Sequence, residues 1–165
     1  MNVVINQLDL SILDHLQANA RISNAELARA VKLSPPAVHA RVKRLEEEAV
    51  IKGYAAVLDH QKVGFDLVTF IQIGLAGHQN EQLQALHDEI QKLPEVLECH
   101  HVTGDFDFLL KVIFKNRQEL HHFIANQLGT IQGVLRVNTS VVLKEVKSTT
   151  QLPIPLPKPQ SVFHE

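Results

Sequence analysis

The sequence predicts an α+β protein with two dissimilar parts: an N-terminal helix-turn-helix, then a four-stranded antiparallel sheet with two helices on one face. Two observations carry this. Three helix-initiation signals crowd into the first 50 residues, with only a few residues between the second and third helices. The chain then follows the order strand, helix, strand, strand, helix, strand, the split βαβ or ferredoxin-like order.

Asn6 is a good N-cap with Asp9 three residues on, and Leu8, Ile12, Leu13 and Leu16 recur at helical spacing. A first helix therefore runs from Asn6 to about Ala18. Ser23-Asn24-Ala25-Glu26 is a capping box ahead of LARAV, so a short second helix starts at Ser23 and ends near Lys32. Ser34 followed by Pro35 and Pro36 starts a third, reaching about Glu48, because proline in the first turn loses no hydrogen bond that the helix would have used.

Val50 to Asp59 has β-branched and aromatic residues and reads as a strand, followed by the loop HQKVGFD. Leu67 to Ala76 reads as the first sheet strand, and Asn80 to Leu93 as a helix with Leu83, Leu86 and Ile90 on one face, stopped by Pro94. VLECHHVTG and DFDFLLKVIFK supply two strands, RQELHHFIANQL a helix, and Val134 to Val146 the last strand. The uncovered face of such a sheet tends to be buried by another copy, which predicts a dimer. Prolines at 153, 155, 157 and 159 favour an extended C-terminal arm.

With 165 residues, 45% hydrophobic and 21% charged, the chain reads as globular, and no stretch approaches a membrane span. Its start lacks the pattern of a secretory signal, so a cytoplasmic location is expected, which a single cysteine, Cys99, suits. Net charge is −2, so global charge argues for no polyanionic partner, but its distribution is uneven. From Arg21 to Arg44 six cations stand against one acid, Glu26.

On a helical wheel of the third helix, Val38, Val42 and Leu45 form the inward stripe. Pro36, Ala40, Lys43 and Glu47 lie opposite, with His39 and Arg44 on the flanks. A helix that reads DNA needs small residues where it sits deep in the major groove, cations at the groove edge, and an N-terminus that can face phosphate. Glu46 to Glu48 would be repelled by phosphates and should lead out of the groove. Arg41, beside the buried stripe, is expected in an intramolecular ion pair first and at a phosphate second.

RISNAELARAVKLSPPAVHARVKRLEEEAVIKGYAAVLD resembles the DNA-binding half of the Lrp/AsnC (leucine-responsive regulator/asparagine regulator) family of prokaryotic transcription factors, and ECHHVTGDFDFLLKV resembles the most typical stretch of that family's second domain. The resemblance covers about residues 5 to 150. It implies a winged-type helix-turn-helix, a strand hinge, and a ferredoxin-like βαββαβ regulatory domain that dimerises and binds small molecules, usually amino acids. The corresponding divisions are residues 1–50 for the helix-turn-helix, 51–64 for the hinge and linker, 65–148 for the regulatory domain and 149–165 for the tail. The chain departs from the family at Ala49, where glycine is common after the recognition helix, which bears on the helix ending and hinge angle. It also departs at Pro36, which with His39 should shift which bases are read.

Thr103-Gly104-Asp105-Phe106-Asp107 falls between two strands, where Gly and Asp are common turn residues and a plain turn accounts for them. In the resembled family this loop, with polar residues of the last strand, helps form the effector site between subunits. A glycine's backbone N–H can hold a carboxylate and an aspartate can accept from an ammonium group, which suits a zwitterion. On that basis the effector-site residues are Gly104, Asp105 and Asp107, with Thr103, Thr139 and Ser140 beside them. Cys99-His100-His101 and His121-His122 invite a metal, but adjacent residues on a strand face opposite ways and none shows i, i+4 helical ligand spacing, so a structural role is the better account. No cofactor is expected.

With no nucleophile motif and no phosphate-binding glycine pattern, the chain is not expected to be an enzyme. The function expected is a sequence-specific DNA-binding regulator whose packing and DNA binding respond to an amino acid. The alternative is an architectural DNA-binding protein with weak sequence preference. The expected partners are double-stranded DNA, an amino-acid effector and further copies of the chain, as a homodimer or a larger tetramer or octamer, with no membrane. His39 and Lys43 are expected near bases, with Pro36 and Ala40 on the same face, and Arg21, Lys32 and Arg44 near phosphates. Ser34 is expected to offer its hydroxyl and backbone to a phosphate, and Ser23 and Asn24 complete the DNA-binding set.

Overall fold

The computed structural model describes residues 4–77 and 80–155. Two compact units are present: one comprises the chain up to Ala56 and resumes at Ser148, and the other is Val57–Lys147.

The first unit holds α1 (Gln7–Ala18), α2 (Asn24–Ala30) and α3 (Pro35–Glu47). Asn6 and Ser23 each close a capping box, with Asp9 and Glu26 respectively. Ile12, Leu27, Ala28, Val31, Val38 and Leu45 form its core, with Leu8, Leu13, Leu16 and Val42 packed against them. α2 ends two residues before Lys32, which takes a positive φ of 56° to make the tight turn into α3. The tail groups with this unit: Leu152 N–H donates to Gln17 Oε1 at 2.7 Å, Gln17 Nε2 donates to the Leu152 carbonyl at 3.2 Å, and Gln151 Nε2 donates to the Gln17 carbonyl at 2.9 Å. Pro157 and Pro159 of the expected arm lie outside the described residues.

The second unit holds β1 (Leu67–Leu75), α4 (Asn80–Ile90), β2 (Val96–His101), β3 (Phe108–Phe114), α5 (Arg117–Asn126) and β4 (Val134–Val141), with a 3-10 turn at Leu128–Thr130 that the sequence did not suggest. The sheet order is β2-β3-β1-β4 and every pairing is antiparallel. Ile71, Ile73, Leu110, Val112 and Phe114 of the central strands pack with Leu86 and Ile90 of α4, Phe123 of α5 and Leu128 of the turn. Phe114 and Phe123 meet edge to face at 5.2 Å.

One expected element is absent. Val50 to Asp59 forms no strand, because an extended segment becomes a strand only when its N–H and C=O groups have a ladder to join, and no described strand of the chain pairs with it. The last strand likewise ends at Val141 rather than Val146.

Candidate DNA interface and effector site

In the first unit the helix-turn-helix is held by one buried carboxylate. Asp9 has no exposed side-chain surface, yet it carries two cations: Arg41 Nη1 at 2.8 Å on Oδ1 and Arg44 Nη2 at 2.7 Å on Oδ2. The Asn6 N–H adds a third bond at 3.1 Å. Burial by itself raises the carboxyl's pKa, but the bonds from Asn6, Arg41 and Arg44 together outweigh it and hold Asp9 below the ordinary carboxylate value. The intramolecular pair expected of Arg41 is thus formed. Arg44, expected at a phosphate, is turned to the same acid, because the i, i+3 spacing of the two arginines puts both on the flank of α3 that meets α1.

The outward face of α3 is as the wheel predicts: Pro36, His39, Ala40 and Lys43 are exposed, while Val38 and Leu45 are buried and Val42 is partly so. His39 Nδ1 lies 3.5 Å from Asn24 Nδ2, which brings the start of α2 beside the exposed face of α3. The two helix-initiating serines differ. Ser23 is engaged on all sides: its hydroxyl accepts from the Glu26 N–H at 3.2 Å, while its hydroxyl at 2.7 Å and its N–H at 3.0 Å both donate to Glu26 Oε2 and lower that carboxyl's pKa. Ser34 caps α3 without any side-chain bond to the helix, leaving its hydroxyl at an open N-terminus.

The acids at the far end of α3 have partners. Glu46 accepts from the Tyr54 hydroxyl at 2.9 Å; burial and this bond push the Tyr54 pKa up to about 12. Glu47 pairs with Lys43 at 3.5 Å across one helical turn, with both side chains well exposed. A pair of that kind contributes little, so Lys43 is easily drawn away. A groove of about 510 Å³ runs beside this face, with Asn24, His39, Lys43, Glu46 and Tyr54 on its walls.

In the second unit the turn between β2 and β3 is tied into the sheet. The Val102 N–H donates to the Asp107 carbonyl and the Asp107 N–H to the Ile73 carbonyl, each at 2.9 Å. β1 and β4 slip register between Gly74 and Leu75, and there the Asp107 carboxylate takes the Leu75 N–H at 2.7 Å. Asp107, expected at the effector, therefore braces the end of β1. Gly104 has a φ of 121°, a conformation that L side chains rarely adopt. Thr103, Gly104 and Asp105 are exposed, and among the described residues nothing pairs with the Asp105 carboxylate.

Thr139 and Ser140 do not join this turn in one chain. Thr139 pairs with buried Ile71 and so faces the helices; Ser140 pairs with Phe70 on the open face. Ser140 also stands four residues along β4 from Arg136, about 13 Å away. The open face is mixed rather than apolar: exposed Phe70 lies beside a hydrogen bond of 2.9 Å from Asn138 Nδ2 to Gln72 Oε1, and Glu98 is flanked by His100 at 3.1 Å and Lys111 at 3.4 Å. The His101 ring stacks on Phe108 and His122 bonds Asn126, which gives these histidines structural contacts. Among the described residues, no three metal-ligating side chains converge.

Residues 5–52 match the family of winged helix-turn-helix DNA-binding domains, and residues 68–152 match the Lrp/AsnC ligand binding domain. The chain is 38% identical over 151 residues to the leucine-responsive regulatory protein of Haemophilus influenzae, covering 92% of this chain and 91% of that one. It is 33% identical to the transcriptional regulator AzlB of Bacillus subtilis, covering 93% and 98%. This chain belongs to the Lrp/AsnC family. Its fold is shared with the Neisseria meningitidis transcriptional regulator NMB0573 in complex with L-methionine, with a TM-score of 0.88, 35% identity, and coverage of 92% and 98%. It is also shared with the feast or famine regulatory protein of M. tuberculosis complexed with L-methionine, with a TM-score of 0.82, 27% identity, and coverage of 92% and 100%.

As an Lrp/AsnC protein the chain carries two features that sequence reasoning passed over. Asp9 is legible as a cap partner, but a carboxylate beside Leu8 and one turn before Ile12 and Leu13 also sits on the inward side of its helix, a signal that it needs a cation. Arg136 is the second. It reaches the turn from β4, where its Nη2 donates to the Asp105 carbonyl at 2.9 Å and its Cζ stands 5.3 Å from the centre of the Phe106 ring. No local pattern announces that contact, which spans 31 residues.

Proposed function

We propose that this Lrp/AsnC protein is a sequence-specific transcriptional regulator that reads DNA with α3 and answers to an amino acid bound at the Gly104–Asp105 turn. The observation that carries the first half is the division of α3 into a clamped flank and a free face: Arg41 and Arg44 bind Asp9, while His39, Ala40 and Lys43 are exposed. In this reading His39 and Lys43 meet base edges. Lys32, Arg21 and the unused hydroxyl of Ser34 meet phosphates, and Arg44 is a secondary phosphate contact at most. The second half is supported by the Asp105 carboxylate and by the L-methionine complexes of the two similar proteins. The chemistry is binding rather than catalysis.

The effector site draws on a second subunit in this proposal, because Ser140 cannot reach its own chain's turn and the open sheet face is available to another copy. Residues 51–64 serve as the hinge, and Val50 to Asp59 gains its ladder from the same segment of the partner.

The test selects bound sequences from a random duplex pool and compares affinity for the winner and for random DNA at fixed salt, with and without each amino acid, while following the assembly's size. Preferred binding that changes with one amino acid supports the proposal. Equal affinity for all DNA, unmoved by any amino acid, would establish the architectural reading instead.

A further inference from the structure

The turn at Gly104–Asp105 carries a carboxylate that no cation pairs with among the described residues, and beside it stands a guanidinium that no carboxylate pairs with among them. Arg136 lies opposite Gly74 in the sheet. A Cβ at Gly74 would stand 3.3 Å from Arg136 Nε and 3.6 Å from its Cβ, so the side chain crosses the strand over the space that glycine leaves. It is then held at its far end by the Asp105 carbonyl and the Phe106 ring. Three contacts thus fix a guanidinium beside the turn. Its bond goes to the Asp105 carbonyl and not to the Asp105 carboxylate, and among the described residues no carboxylate pairs with it. A guanidinium has five N–H donors, so several remain for a ligand.

We propose that Arg136 is the specificity-determining residue that binds the effector's α-carboxylate while Asp105 receives its ammonium group, so that the site takes free, zwitterionic α-amino acids. This rests on the effector reading given above and replaces the backbone N–H of Gly104 as the principal carboxylate partner. A cation reaching over from β4 and an anion on the turn, neither paired with an opposite charge among the described residues, are complementary to a molecule that presents both charges on one carbon. Two charge-assisted bonds of opposite polarity also set its orientation, leaving the amino acid's side chain to meet whatever surface the assembly supplies. Amides and esters of the same amino acid lack the negative charge and are rejected.

The test screens the full chain by thermal shift against the twenty amino acids. Calorimetry then measures affinity for the strongest binder and for its carboxamide in wild type, Arg136→Met, Arg136→Lys and Asp105→Asn. Arg136 is exposed, so these variants should fold, and the unliganded melting point checks that they do. Wild type is expected to prefer the acid over the carboxamide by on the order of tenfold or more, the worth of a charge-assisted bond. R136M should lose that preference, and R136K should keep part of it. If R136M weakens acid and carboxamide by the same factor, Arg136 only props the turn and the proposal fails. An unaltered preference in R136M likewise overturns it while leaving the effector function intact, whereas no binding of any amino acid to wild type removes both.

Discussion

Arg44 Nη2 lies 2.7 Å from Asp9 Oδ2, which joins α3 to the first turn of α1 through a carboxylate that water does not reach. Arg41 occupies the other oxygen, so loss of the acid strands two guanidinium groups. Asp9→Asn is expected to cost about 2–3 kcal/mol of stability. Urea denaturation of the first unit's transition measures it, and a change below about 0.5 kcal/mol would show the clamp to be idle.

The same acid sets a pH dependence. Its folded pKa is depressed below the ordinary value, so it contributes stability at pH above the unfolded carboxylate pKa, and that contribution is lost as pH falls through the folded pKa. The wild-type melting temperature should therefore fall on acidification more steeply than that of Asp9→Asn. Parallel curves would mean that the carboxyl is not the titrating group.

Neighbouring cations of α3 should separate by phenotype. Lys43→Ala removes an exposed side chain with one weak partner, so stability should stay within about 0.5 kcal/mol while affinity for the selected DNA falls by about 1–3 kcal/mol. Arg44→Ala should show the reverse emphasis, a lower melting point with a smaller loss of binding at equal folded fraction. Equal binding losses would restore Arg44 to the phosphate backbone.

Ala49 follows α3 with a φ of 54°, a left-handed conformation that favours glycine. Ala49→Gly should stabilise the protein by about 1 kcal/mol, seen as a higher urea midpoint with an unchanged slope.

The two cap serines give a paired test. Ser23→Ala should cost about 1 kcal/mol through its lost capping bonds. Ser34→Ala, with no such bond to lose, should leave stability alone and weaken DNA binding. Weaker binding from the first and none from the second would reverse the assignment of Ser34.

What the sequence made legible was local. Capping boxes at Asn6 and Ser23, the proline start at Ser34 and the inward stripe of α3 all depend on residues within one or two turns of each other, and the structure has them. The order of strands and helices along the second unit followed from alternating periods. What stayed hidden depends on distance: Asp9 finds its arginines 32 and 35 residues away, and Arg136 meets the turn across 31. Asp107 looked like its neighbour Asp105 in sequence, and only the register slip at Gly74 distinguishes a brace from a charge left open. The segment from Val50 to Asp59 has a strand's composition but needs a second edge to become one.

Because the acid that anchors α3 sits beneath it, the helix has a keel on one side and, in the proposed reading, an alphabet on the other. Substitutions at Pro36, His39, Ala40 and Lys43 leave the Asp9 pairings untouched. In the proposed reading, the side chains that meet bases can therefore change without disturbing the ion pairs that anchor the helix.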